Sequence, residues 1–178
     1  MLTSDQKGAV AEVRIAAAAL ELGVGVWMPF GDERYDLIFD LRPELVRVQC
    51  KWASLYDGVI VARLYTARRN ADGLLRRLYS ADEVDAFALY CGALERCYFI
   101  PFEEAPPGGT IQLRVEPTRN NQKLRIRWAE DALFAATLGA LGAVAQLGER
   151  KSGRLEVTGS SPVGSTPEAV SQRRLPLF

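Results

Sequence analysis

The sequence predicts an α/β fold in which one N-terminal helix packs on a mixed central β-sheet. Three observations predict it. A helix-length apolar pattern fills residues 4 to 22. Beyond it, apolar residues alternate or gather in short aromatic and β-branched runs, as strands do. Pro and Gly clusters then divide those runs at loop-like intervals. A chain of 178 residues, 48% of them hydrophobic, is large enough for one compact domain and little more.

The helix comes first. Ser4 is the expected N-cap, acidic Asp5 follows it, and Gly23 stops the run after Leu22. Val10, Val13, Ile15, Ala17, Ala18 and Leu20 supply a broad apolar surface. Glu12 lies inside that surface, where it either pairs with Lys7 or Arg14 or reaches toward a polar site. Tyr35 to Asp40 has strand composition, and Val46 to Trp52 alternates so that Arg47, Gln49 and Lys51 share one face. Between them Leu41-Arg42-Pro43-Glu44 is a turn, since Pro43 lacks the donor a ladder needs. The two runs form a hairpin with Asp36 across from Gln49 and Lys51. Gly58 to Leu64 is a further strand, and Ser80 with Asp82-Glu83-Val84 reads as a capped turn of helix. Phe87 to Cys91, Cys97 to Ile100 and Ile111 to Val115 complete the sheet, with Pro106-Pro107-Gly108-Gly109 as a loop.

A carboxylate, an amide oxygen and a lysine at one sheet edge can hold a divalent metal and attack a phosphodiester; the same Gln49 and Lys51 are equally compatible with plain solvent exposure. The absence of histidine removes His-metal centres, His bases and Ser-His-Asp triads. No GxxxxGK[ST] phosphate loop occurs, and Cys50, Cys91 and Cys97 show no CxxC pairing that would suit zinc. With neither a signal peptide nor a long apolar span, the expected setting is reduced, soluble and cytoplasmic. Net charge is zero, yet Leu41 to Ser80 carries eight basic and three acidic residues. Arg68, Arg69, Arg76 and Arg77 are candidates for phosphate contacts, with Asn70, Tyr65 and Thr66 as weaker ones; a solvated loop and helix is the alternative. The Asn120-Asn121-Gln122-Lys123 turn offers amides, Asn121 among them, either to a groove or to a hairpin cap.

Lys7-Gly8, Glu12, the Pro29 to Asp36 segment, Tyr35-Asp36-Leu37 and Gln49-Cys50-Lys51 together resemble the PD-(D/E)XK nuclease superfamily. The resemblance is to its branch of group I intron-encoded homing endonucleases and related bacterial proteins. Asp85 to Tyr90, Cys97 to Pro101, Gln112 to Arg114, Asn120 to Gln122 and Trp128-Ala129 continue it in the same order, so it spans most of residues 3 to 133. It implies a restriction-endonuclease-like core and a metal-dependent endonuclease cutting double-stranded DNA as a dimer or tetramer. Asp36 would ligate Mg²⁺ or Mn²⁺, with Glu12, Gln49 and the Cys50 carbonyl completing the ligands. Lys51 would position the attacking water and offset developing charge. Gln49 stands where most of the superfamily carries Glu or Asp, although this branch is similar in using Gln. Either Glu12 compensates for that neutral ligand or the site is feeble. A junction resolvase, a restriction-type nuclease and a catalytically silent DNA-binding relic therefore stand as alternatives.

The tail differs in kind. Residues 142 to 166, GAVAQLGERKSGRLEVTGSSPVGST, resemble the conceptual translation of a transfer-RNA gene. The expected division is a nuclease domain over 1–133 and a tail over 134–178, disordered or partly helical.

Overall fold

The computed structural model describes residues 1–71, 73–117 and 126–139. Helix α1 (Ser4–Glu21) opens with Thr3, not Ser4, as N-cap. The Thr3 hydroxyl accepts from Gln6 N at 3.2 Å, and the Gln6 amide oxygen accepts from Thr3 N at 2.9 Å. This reciprocal capping box outcompetes a lone Ser4, because it satisfies one more free N–H. Leu22 ends the helix, and Gly23 follows with a φ of 77° that an alanine would resist. The buried stripe is Ala11, Ile15 and Ala19, spaced one turn apart. Val13 and Leu20 instead face solvent, 68% and 59% exposed, so the apolar surface is narrower than composition implies.

Among the described residues nine strands follow: β1 (Gly25–Trp27), β2 (Leu37–Asp40), β3 (Leu45–Tyr56), β4 (Val59–Arg63), β5 (Tyr65–Asn70), β6 (Gly73–Leu78), β7 (Ala86–Cys91), β8 (Arg96–Pro101) and β9 (Thr110–Arg114). Seven of them form one mixed sheet around β3. The start of β3 pairs antiparallel with β2, Leu37 opposite Val48. Val48 to Ala53 pair parallel with β7. The end of β3 turns back into β4 through Asp57-Gly58, whose φ values of 44° and 71° suit the tight turn of a two-residue hairpin. Beyond these, β1 extends β2, β8 extends β7, and β9 extends β4.

β7 explains why the sheet has two cores. All six of its residues are buried. Ala86, Ala88 and Tyr90 face α1 with Ile15, Phe39, Val48 and Phe99. Phe87, Leu89 and Cys91 face the opposite side with Ile60, Leu64, Tyr98, Ile100 and Leu113. A strand covered on both faces reads as an unbroken apolar run, as FALYC does here. Packing continues past residue 133: Phe134 and Leu138, in a helical stretch over 134–139, belong to the α1-side core. Phe134 meets Phe39 and Phe99 edge-on, with ring centroids 5.9 and 6.1 Å apart.

β5 and β6 form a separate two-stranded sheet, with β6 exposed and Tyr65 and Thr66 half-buried at the base, where a solvated loop and helix was the alternative to a phosphate-binding face. The expected helical turn after Ser80 is a single hydrogen-bonded turn, in which the Glu83 and Val84 amides donate to Ser80 O at 3.0 and 3.1 Å. Among the described residues no helix is long and apolar enough to cross a membrane.

Candidate active site

The site forms where β2 and β3 part. Asp36 precedes β2, and its amide donates to Val48 O at 3.0 Å, continuing the β2–β3 ladder by one bond. Its side chain then takes over from the ladder: Asp36 Oδ2 accepts from Cys50 N at 2.7 Å. The Gln49 amide also donates to Asp36 Oδ2, and to Cys50 O at 3.3 Å. Gln49 is 8% exposed, so it does not face solvent as an ordinary strand glutamine would. Two steps along the same face, Lys51 turns its ammonium to the Tyr79 hydroxyl at 2.9 Å.

Glu12 enters from α1, one residue beyond the buried Ala11. Neither Lys7 nor Arg14 pairs with it among the described residues; Lys7 lies 5.8 Å from the Trp52 ring centre and Arg14 5.9 Å from that of Tyr90. Burial lifts the Glu12 carboxyl above its ordinary range, the nearby Asp36 charge lifts it further, and Lys51 pulls it down. Asp36 is raised for the same first reason, against the pull of the Cys50 amide, Lys51 and Gln49. Lys51 is lowered by burial and by the Arg34 cation, with Asp36 opposing. The site thus brings Glu12, Asp36, Gln49, Cys50 and Lys51 within electrostatic reach of one another.

These residues fit a hard divalent cation. Two carboxylates that burial holds above their ordinary range, Glu12 further raised by the Asp36 charge, gain from any positive charge placed between them. Among the described residues no group of three or more His, Cys, Asp and Glu side chains gathers, so carbonyl, amide and water oxygens would complete the shell. Gln49 currently offers Asp36 an N–H, and to serve as a ligand its amide must turn over and present oxygen.

Arg47 shares the face of Gln49 and Lys51 but has a structural task. Its guanidinium forks onto Asp85, with Nη2 to Oδ1 at 2.6 Å and Nε to Oδ2 at 2.9 Å. It also donates to the carbonyls of Ala81, at 3.0 Å, and Asp82.

The arginine-rich segment is the β5–β6 hairpin. Its register sets Arg68 and Arg77 on one face and Arg76 on the other. Arg68 and Arg76 are exposed, with Arg76 5.2 Å from the Tyr65 ring centre. Arg77 is paired with Glu83. Arg69 occupies the strand position opposite Leu74. The Asn120–Lys123 turn, with Asn121, lies outside the described residues.

Sequence reasoning missed three residues beside the site. Arg34 binds Glu83 at 3.2 Å and stacks 4.1 Å from the centre of the Tyr79 ring. Glu83 also accepts from Ser80 N at 3.2 Å. Tyr79 contacts Lys51 across 28 residues of sequence. Arg34 had a weak signal in its closeness to Asp36; Tyr79 and Glu83 come near only through the parallel pairing of β3 with β7.

Comparison with known proteins agrees with this geometry. The solved structure of a bacterial homing endonuclease, I-Ssp6803I, superposes with a TM-score of 0.64 at 28% identity, covering 84% of this chain and 98% of that one. No curated protein matches the chain significantly. A sequence profile of the PD-(D/E)XK endonuclease family matches residues 2–135, which include every residue of the site. With the carboxylates, the Gln-x-Lys strand and the sheet around them in place, the chain belongs to the PD-(D/E)XK endonuclease family.

Proposed function

We propose that this protein is a metal-dependent endonuclease that hydrolyses phosphodiester bonds of double-stranded DNA in the manner of a homing endonuclease. The observation that carries the reading is the meeting of Glu12, Asp36 and Lys51, from a helix, a strand entry and a strand, at one partly buried point. Glu12, Asp36, the Cys50 carbonyl and the turned Gln49 amide would hold Mg²⁺ or Mn²⁺. Such an ion supplies Lewis acidity and charge neutralisation at the phosphate. The chain's own residues do the rest. Lys51 brings a fixed positive charge to the developing negative charge, in surroundings where burial strengthens it. Asp36 and Glu12 orient water through hydrogen bonds, and the exposed Arg68 and Arg76 attract the DNA backbone. One such site cleaves one strand, so a double-strand cut calls for a dimer or tetramer.

A second reading is a silent DNA-binding relic, favoured by one observation: the neutral Gln49 stands on the site strand where a carboxylate would bind a cation more strongly. Cleavage of supercoiled plasmid and of a randomised duplex library, with Mg²⁺, Mn²⁺ or EDTA, separates the two. Metal-dependent nicking that falls at least ~10²-fold in Lys51→Ala and Asp36→Ala is expected. DNA binding with no product from the library under either metal would establish the relic instead.

A further inference from the structure

A lysine with four rotatable bonds next to two carboxylates would ordinarily collapse onto one of them. Lys51 does not: among the described residues it makes no ion pair, and its ammonium donates instead to the Tyr79 hydroxyl at 2.9 Å. The same ammonium lies 5.0 Å from the Tyr79 ring centre. Tyr79 is itself firmly held. It is 8% exposed, and the Phe87 ring meets it edge-on at 5.5 Å. The Arg34 guanidinium stacks on it at 4.1 Å, a cation–π contact. Arg34 is anchored by Glu83 at 3.2 Å and by Thr66 Oγ1 and Leu78 O, each at 3.4 Å. A continuous set of contacts therefore runs from Glu83 through Arg34 and Tyr79 to Lys51.

We propose that Tyr79 is a positioning residue for Lys51: its hydroxyl holds the ammonium near Asp36 but off its carboxylate, so that Asp36 stays open to a cation, and Arg34 fixes Tyr79 in turn. Burial pushes the Tyr79 phenol up to about 12, so it stays neutral near pH 7 and serves as an acceptor without binding Lys51 as a counter-ion. Its catalytic meaning rests on the nuclease reading, but its geometry does not.

The test uses the full chain with ¹⁵N-labelled lysine, free of metal and DNA. Only Lys7, Lys51, Lys123 and Lys151 give ammonium signals, and Lys51→Arg assigns the one of interest. The expected result is a Lys51 ammonium that exchanges with water slowly. Tyr79→Phe, which keeps the ring and its packing, should speed that exchange about tenfold, the worth of a hydrogen bond to a charged group. Arg34→Gln should loosen it in the same direction, and carries the test if Tyr79→Phe does not fold. A wild-type Lys51 exchanging as fast as the other lysines would overturn the proposal, as would a Lys51 unmoved by both substitutions. In single-turnover cleavage, Tyr79→Phe should lower the rate constant and leave DNA affinity unchanged. Slow Lys51 exchange with no cleavage by any protein would sink the nuclease reading and leave the positioning standing.

Discussion

Arg47, Gln49 and Lys51 occupy alternate positions on one face of a strand, yet each is used differently. Arg47 is committed to Asp85, Gln49 is tucked against Asp36, and Lys51 ends on Tyr79. Period-2 alternation was enough to put them together. It could not say what covers them, because Asp85 and Tyr79 arrive from 38 and 28 residues away. The Arg47–Asp85 pair also makes a pH prediction. The Arg47 guanidinium holds the Asp85 carboxyl below its usual 3.8. A depressed carboxyl contributes stability in full above its unfolded value and loses it as pH falls through the folded one. The melting-temperature gap between wild type and Asp85→Asn should therefore be constant from pH 7 to about 5 and close below about 4. Both side chains are about one-third exposed, so the gap will be modest. A gap that persists unchanged at acid pH would show that the ion pair contributes nothing.

At the level of elements, what was legible followed burial. β3, β7, β8 and β9 carry apolar runs or alternation because at least one face of each is covered. Among the described residues the β5–β6 hairpin has no fully buried side chain, so its sequence carries no such period, and the segment was read as arginine-rich without being read as two strands. The N-cap was placed one residue late, at Ser4, because the Thr3-x-x-Gln6 spacing that marks the capping box was passed over. If the hairpin meets DNA as proposed, Arg68→Ala and Arg76→Ala should each weaken binding at low salt. Each should also lower the slope of log affinity against log salt by about one. Arg77→Ala should change that slope less and loosen the hairpin base, since its partner is Glu83. Fluorescence anisotropy over a salt series reads all three; equal slopes for all proteins would place the DNA elsewhere.

For the molecule as a whole, strand order and the hairpin of β2 with β3 were readable, but the pairing of β3 with β7 was not, since a parallel ladder between residues 48–53 and 86–91 leaves no local mark. Among the described residues, packing onto the core continues into the 134–139 stretch. Phe134 and Leu138 are 3% and 2% exposed and lie past residue 133, where the family resemblance ran out. A chain ending at residue 139 should melt close to the full-length protein. One ending at 133 loses both side chains, each worth roughly 2–5 kcal/mol, and should be unfolded or nearly so at 25 °C. Equal melting temperatures for the two truncations would show that the last helical stretch is dispensable.

The hairpin leaves and rejoins the domain at Tyr65 and Leu78, which are register partners. An excursion whose two ends meet adds reach without moving the sheet. Residues can therefore be exchanged along the arm while Asp36 and Lys51 stay where they are, and, if the arm meets DNA as proposed, what it meets can be altered apart from the site. The freedom stops at the base of the arm, where Arg34 grips Thr66, Leu78 and Tyr79 at once. The arm is thus replaceable toward its tip and fixed at its root.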